Sequence, residues 1–463
     1  MRSTLEQELK LEADAAFQLP DLSGDPLEPR VFTSTYLDTA DGSLARVGIT
    51  LRRRLENGVS LWQLKLPVAS DRLELEQLGG PVGPPEEMRR LLAAHLRHGP
   101  LTEVAQLRTR RSGILVSSPA PAEVTIDDVS VLDGRRVTSS FREIEVELRG
   151  GDRSMLDELG RRLREAGARA GDGRPKLFRA LDRPAPAPAP DVLHARLRGQ
   201  LETILAHDPG TRLGTDPEAL HDMRVATRRL RALLRTIRPL VDGGMTGSLR
   251  AELGWLGRLL GDVRDLDVLL ARLEPEVDAL AGDDRRAGTT LLRRLARERG
   301  RRRQALLCEL DGARYFALLD ELELASTSLP IASPERAPEL ARREFRRARK
   351  AAKQAGADPS DVVLHELRKK VKYARYAAEL VEGKAAARFV ARAKEFQDVV
   401  GAHQDAIVAE QTLRGLLGPR STTGQAVAVG RLIERERERR RAARAAWRAA
   451  WKRLERSGKK AWS

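Results

Sequence analysis

Close to its N-terminus the chain reads EQELK. In a strand, where alternate side chains share a face, Glu6, Glu8 and Lys10 then stand side by side. The same period of two sets Arg52 beside Arg54, Gln63 beside Lys65, Arg108 beside Arg110, Glu123 on the face of Asp127, and Glu143 beside Glu145 and Glu147. The opposite faces carry Leu5, Leu9, Leu51, Trp62, Leu64, Leu66, Ile144, Val146 and Leu148. One such strand describes an antiparallel sheet with a wet side. Several of them ask for more, because adjacent carboxylates repel unless a cation or a base lies between them. If the charged face turns inward as a barrel closes, carboxylates able to ligate a hard divalent ion meet Lys and Arg side chains able to hold phosphate oxygens. Mg²⁺ or Mn²⁺ would bridge phosphate oxygens and position a water, while the bases neutralise charge on the leaving phosphate. Such chemistry needs no histidine or serine nucleophile.

A second set of residues lies in a helical pattern. From Leu220, the apolar side is Leu220, Met223, Leu230, Leu233 and Ile237, and beside it run His221, Arg224, Arg228, Arg231, Arg235 and Arg238 at intervals of three and four. No acid falls between Asp222 and Asp242. LHDMRVATRRLRALLRTI is echoed by LHELRKKVKYARYAAELV from Leu364, where His365, Arg368, Lys372 and Arg375 repeat the spacing with Tyr376 close by. LLGDVRDLDVLL from Leu259 is echoed by VVGAHQDAIVAE from Val399, so a duplicated helical unit is expected. Two basic stripes, each opened by a histidine, suit a linear polyanion whose binding weakens with salt.

These residues need elements to hold them. The Pro-Ala run RPAPAPAPD, residues 183–191, reads as an extended linker between a unit at 1–182 and a helical unit at 192–456. Before it, strands alternate with two amphipathic helices near Glu86 to His98 and Met155 to Ala168, which gives an α+β fold. After it, the periodicity is helical, with breaks at Gly243-Gly244, Gly282, Pro330 to Pro338 and Gly418-Pro419. A net charge of +16 over 463 residues favours polyanionic partners. One cysteine, Cys308, leaves neither an internal disulfide nor a cysteine-rich metal site, so a metal would bind through oxygen. With no targeting signal and no apolar run of spanning length, the reading is a cytoplasmic protein without a membrane partner. Nucleic acid is disfavoured, since aromatics are 4% of residues and no stacking platform or base-reading motif appears.

EQELK matches the ExExK signature of CYTH domains, the triphosphate tunnel metalloenzymes, and TYLDTADGSLARVGITLRRR, WQLKLP, LRTRR, EVTIDDV and FREIEVEL resemble that family's later strand motifs in order. The resemblance covers roughly Arg2 to Leu181. It implies an eight-stranded antiparallel β-barrel tunnel that hydrolyses short phosphate chains, nucleoside or thiamine triphosphates, with some members acting as adenylate cyclases. By position, it implies Glu6, Glu8, Asp127, Glu145 and Glu147 on the metal side, and Lys10, Arg52, Arg54, Lys65, Arg108 and Lys176 on the phosphates. Glu6, Glu8 and Lys10 form the catalytic signature, with Glu143 and Arg110 in support. The family generally has a small hydroxyl residue before the last lysine, where this chain has Pro175. From about Val192 to Trp451 the helical motifs resemble the CHAD family, the conserved histidine α-helical domains. That implies an all-α duplicated bundle binding polyphosphate through His221, Arg224, Arg228, Arg231, His365, Arg368, Lys372 and Arg375. His403, Arg264, Asp265 and Asp405 fall in its companion motifs. The expected activity is a Mg²⁺- or Mn²⁺-dependent triphosphatase acting on inorganic triphosphate. The alternatives are a barrel without turnover that docks on polyphosphate, and an enzyme for an organic triphosphate.

Overall fold

The computed structural model describes the chain apart from residues 69–70, 119–120, 172–175, 182–188, 190, 239–240, 242–243, 331–336, 357, 420 and 463 and the side chains at 244–245. The chain divides into two compact units, Met1–Ala187 with Glu202–Ala219, and Pro188–Leu201 with Leu220–Ser463. The linker read at 183–191 lies outside the described residues except for Ala189 and Asp191, and Pro175 lies outside them as well.

The first unit is built on ten strands: β1 (Arg2–Glu6), β2 (Glu8–Ala13), β3 (Gly24–Asp38), β4 (Thr50–Glu56), β5 (Val59–Val68), β6 (Asp71–Leu78), β7 (Thr102–Val116), β8 (Ala122–Asp133), β9 (Arg136–Leu148) and β10 (Arg169–Ala170). Helix α1 (Glu86–Leu91) follows β6, α2 (Ser154–Glu165) follows β9, and α3 (Lys176–Leu181) follows β10. The strands form one antiparallel sheet in the order β1-β6-β5-β4-β3-β7-β8-β9-β2-β10.

The expected closed eight-stranded barrel is therefore corrected to an open sheet of ten strands. The first charged run does not continue through one ladder. It breaks at Gln7, so that β1 pairs with β6 while β2 pairs with β9 and β10. Gln7 joins β1, at one edge of the sheet, to β2, one strand in from the other edge, and the Leu148 N–H donates to the Gln7 carbonyl at 3.0 Å.

Packing explains which face turns inward. Leu51, Trp62, Leu64 and Leu66 bury against Met88, Leu91 and Leu92 of the α1 region. On the other half of the sheet, Leu11, Val124, Ile144 and Val146 bury against Leu156, Leu159 and Leu163 of α2. Apolar faces covered by helices leave the charged faces to line the concave side, the reverse of an ordinary sheet core. Leu5 is an exception to the alternation and is 53% exposed.

The second unit is helical: α4 (Val192–Leu213), α5 (Pro217–Ile237), α6 (Gly244–Asp278), α7 (Gly282–Leu310), α8 (Ala313–Ser328), α9 (Ala337–Ala355), α10 (Asp361–Ala378), α11 (Lys384–Gly415) and α12 (Thr423–Trp462). The end of α4 counts with the first unit, where the buried His95 ring bonds the Leu205 carbonyl at 3.0 Å. Phe345, Leu367, Val371, Phe389, Phe396 and Trp447 form one core among α9 to α12. A second core joins Leu269 and Leu273 of α6, Leu291 and Leu295 of α7, Leu413 of α11 and Leu432 of α12. Among the described residues no helix is long and apolar enough to cross a membrane.

Candidate functional site

The concave side of the sheet encloses a cavity of about 350 Å³ lined from every strand of β1 to β9 and from α3. Among the described residues, ten of those lining it are basic and seven acidic, Tyr36 is the only aromatic, and none is aliphatic. Glu6, Glu8, Lys10, Arg52, Arg54, Lys65, Glu145, Glu147 and Lys176, singled out in the sequence, all line it.

Strand register explains the meeting. Glu8 lies opposite Glu147, which lies opposite Glu123, while Lys10 lies opposite Glu145 and Glu143 opposite Asp127. Rows of carboxylates thus cross three strands at one height, and bases from elsewhere reach between them. Lys10 Nζ is 2.8 Å from Glu145 Oε1 and 3.4 Å from Glu8 Oε2. Lys65 Nζ is 2.6 Å from Glu6 Oε2. Arg52 donates to Gln63 Oε1 at 2.7 Å and to the Tyr36 hydroxyl at 3.1 Å, and Gln63 in turn donates to Glu76 at 2.7 Å. The Arg54 guanidinium lies 3.8 Å from the centroid of the Phe32 ring and pairs with Glu56. These contacts fix the bases before any ligand arrives.

Arg108 and Arg110 do not join the cavity. Both are exposed, because on β7 it is Leu107, Thr109 and Arg111 that face inward. The run LRTRR has arginine on both faces, and cross-strand pairing decides between them. Arg111 sits opposite Asp127, with Nε 2.7 Å from Asp127 Oδ1 and Nη2 2.5 Å from Glu145 Oε2. Arg111 thus takes the position expected of Arg108. Also missed were Arg72, Glu74 and Glu76 on β6, whose alternation obeys the rule that found the other strands, and Arg30 and Tyr36, which carry no such signal.

Asp127 and Glu145, expected as metal ligands, are already ion-paired. Lys176 Nζ lies 2.7 Å from Asp127, 2.8 Å from Glu143 and 2.8 Å from Glu145. Burial would weaken both Lys10 and Lys176 as cations, but the carboxylates outweigh it and raise both. Glu145 is held well below the usual carboxylate range, its burial overcome by Lys10, Lys176 and Arg111. Glu6, Glu8 and Glu147 are paired too, with Lys65 at 2.6 Å, Lys10 at 3.4 Å and Arg149 at 3.0 Å. Burial pushes Glu147 up to about 7, against the pull of Arg149, with Glu6 pushing the same way. Burial raises Glu6 as well, with Lys65 opposing. Burial raises Glu143 in the same way, with Lys176 opposing, and carboxylate oxygens of this kind suit a hard divalent cation.

In the second unit, the basic stripes of α5 and α10 converge. Lys372 has Arg228, Arg368, Arg231 and Arg235 as its strongest charged neighbours and, after burial, they push it down to about 8. Arg235 stacks on Tyr373 at 3.8 Å. Glycines leave room for the guanidinium groups: a Cβ at Gly254 would stand 3.3 Å from Arg231, at Gly261 3.4 Å from Arg224, and at Gly401 3.5 Å from Arg368. Arg224 also pairs with Asp265 at 3.1 Å. Arg375 is turned to Glu379 at 3.4 Å and stacks on Tyr376 at 4.7 Å. The His365 ring lies 3.2 Å from Gln404, and His221 stands one turn before Arg224 on α5. His403 is buried against Asp361 at 3.1 Å, a packing position.

Residues 4–177 match the CYTH domain family and residues 195–414 the CHAD domain family. The chain belongs to the family of proteins in which a CYTH domain is followed by a CHAD domain. The CYTH family is metal-dependent and includes triphosphatases and related enzymes. An uncharacterised protein of Mycobacterium tuberculosis, present in strains CDC 1551 and H37Rv, is 31% identical over 99% of this chain and 98% of its own. Among solved structures, PptA from Streptomyces chartreusis is 25% identical with a TM-score of 0.50, covering 57% of this chain and all of that one. The CHAD domain from the plant Ricinus communis is 26% identical with a TM-score of 0.48, covering 58% of this chain and 95% of that one.

Proposed function

We propose that the cavity of the first unit hydrolyses a phosphoanhydride bond of inorganic triphosphate with the help of Mg²⁺ or Mn²⁺, and that the basic face of the helical unit binds polyphosphate. The observation that carries the first part is the cavity lining: among the described residues it holds carboxylates and an excess of bases, no aliphatic side chain and a single aromatic one, Tyr36. A nucleoside or thiamine group would find little apolar surface there. A triphosphate is polar over its whole length and suits such walls.

Glu6, Glu8 and Glu147 would hold the cation, which supplies charge neutralisation on phosphate oxygens. Lys10, Arg52, Arg54, Lys65 and Arg111 hold the remaining oxygens through charge-assisted hydrogen bonds. They are anchored by Glu145, Gln63, Tyr36, Glu56, Glu6 and Asp127, so little reorganisation is needed as charge builds. Water attacks a terminal phosphorus in line, the P–O bond to the bridging oxygen breaks, and that oxygen leaves with the electron pair on pyrophosphate. Arg52 and Arg54 are placed to neutralise it. The nucleophile's proton leaves to solvent.

Phosphate release from triphosphate tests this reading. Turnover by the full chain with Mg²⁺ or Mn²⁺, abolished by a chelator and lowered on the order of 100-fold in Glu8→Gln, is expected. Absence of metal-dependent turnover in the parent chain would leave only a binding role for the cavity. For the helical unit, labelled polyphosphate should resist displacement by RNA at equal phosphate concentration.

A further inference from the structure

Arg52 and Arg54 share the inner face of β4, yet they are held in different ways. Arg52 has two neutral partners, Gln63 at 2.7 Å and the Tyr36 hydroxyl at 3.1 Å. Arg54 pairs with Glu56, and its Nε is buried with no hydrogen-bond partner among the described residues. Ser34, directly opposite on β3, makes no bond to it, and the buried Ser34 hydroxyl is itself without a partner among those residues. The Arg54 guanidinium rests instead on the ring of Phe32, 3.8 Å from its centroid. Strand register sets this up. β3 lies between β4 and β7, and Phe32 is buried on the inner face of β3, in the same alternation as Arg30 and Tyr36. Arg54 stands opposite Ser34 and Arg111 opposite Arg30, so each is a diagonal neighbour of Phe32, one from either flanking strand, within reach of an aromatic ring. The Arg111 guanidinium lies 5.7 Å from the same centroid. Both arginines line the cavity and Phe32 does not, so the ring acts from behind them. Guanidinium groups this close repel, and burial first, then Arg52 and Arg111, lower Arg54 against the pull of Glu56. The negative face of a ring offsets such repulsion without occupying an N–H donor. A carboxylate in its place would bond to the donors that a phosphate needs.

We infer that Phe32 is a positioning residue for phosphate binding: its ring, shared by Arg54 and Arg111, holds Arg54 toward the cavity without using its N–H donors. The inference rests on the cavity binding triphosphate, as proposed above, and does not require turnover. Arg111 is also held by Asp127 and Glu145, so the dependence on the ring falls mainly on Arg54.

Triphosphate binding to the full chain, measured by calorimetry, and kcat/KM for its hydrolysis test this together. Phe32→Leu, which keeps an apolar side chain and removes the ring, should weaken binding and lower kcat/KM about 10-fold each, the size of one desolvated cation–π contact. Fluorinated phenylalanines at position 32 keep the shape of the ring and drain its face, and binding should weaken step by step as fluorine is added. In an Arg54→Ala background the same changes at Phe32 should have little further effect, because the group that the ring holds is gone. Equal binding across the fluorinated series, or a loss of undiminished size in the Arg54→Ala background, would overturn the inference and leave the cavity's role standing. Binding that follows the expected pattern without turnover would support the inference and remove the hydrolytic reading. A parent chain that does not bind triphosphate would remove both. Should Phe32→Leu fail to fold, the fluorinated series decides, since it leaves the packing in place.

Discussion

Arg52 shows how a single residue is prepared for an anion. Its guanidinium is held by Gln63 and Tyr36, which leaves its remaining N–H donors aimed into the cavity in a fixed plane. Lysine cannot reproduce that fork. Arg52→Lys should raise the KM for triphosphate about 10-fold, in line with the loss of one charge-assisted bond. A KM within twofold of the parent would mean that Arg52 only braces the sheet. Lys372 presents the opposite case, a cation among cations. It titrates near pH 8 in the folded chain and near its ordinary value of 10.5 when unfolded. Between these values the unfolded chain holds a proton that the folded chain lacks, so stability from this group rises with pH across that window, and below about pH 8 the repulsion is felt in full. A bound polyanion should restore the proton. Calorimetry near pH 8 in buffers of different ionisation heat should therefore show proton uptake on polyphosphate binding, and Lys372→Met should abolish it.

The same scale shows what could be read from the chain alone. Charges alternating on EQELK, LRRR, WQLKL and EIEVEL pointed to nine of the 22 described lining residues, because a period of two survives any arrangement of strands. LRTRR could not be resolved in this way, since its arginines occupy both faces and only the partner strand, with Asp127, says which one is inside. The role of Lys176 was hidden for a related reason. Its neighbours come from β8 and β9, far away in sequence, and their separation is a matter of register.

At the scale of elements, the helices over the outer faces decide that the charges turn inward. Leu159 of α2 is fully buried among Leu11, Val124 and Ile144. Leu159→Ala should cost about 2–5 kcal/mol, seen as an earlier denaturant transition, with the kinetic constants of the surviving folded fraction unchanged. In the helical unit, Gly254 on α6 makes space for Arg231. Alanine there gains up to about 1 kcal/mol of helix propensity, and the flexible end of Arg231 needs to give by only a few tenths of an ångström. Gly254→Ala should thus leave the fold intact or firmer while weakening polyphosphate binding, which separates a binding role for the glycine from a structural one. Helix positions were legible from periodicity. The break at Gln7 was not, because one strand shared between two partners looks like any other alternating run.

At the scale of the molecule, each unit gathers positive charge by its own means, one on the concave side of a sheet and the other where α5 and α10 meet. Binding of polyphosphate to the helical unit should weaken linearly in log–log form with salt, and replacing Arg228 and Arg368 together should flatten that slope by about one to two. The central claim is that acids and bases from distant strands act from inside one cavity. Its most direct test compares two arginines of a single strand in the metal-dependent hydrolysis of triphosphate. Arg111→Ala, which removes an inward group, should lower kcat/KM on the order of 100-fold, while Arg108→Ala, three residues away and facing solvent, should stay within about twofold of the parent. Equal losses in the two variants, or the larger loss in Arg108→Ala, would contradict the account.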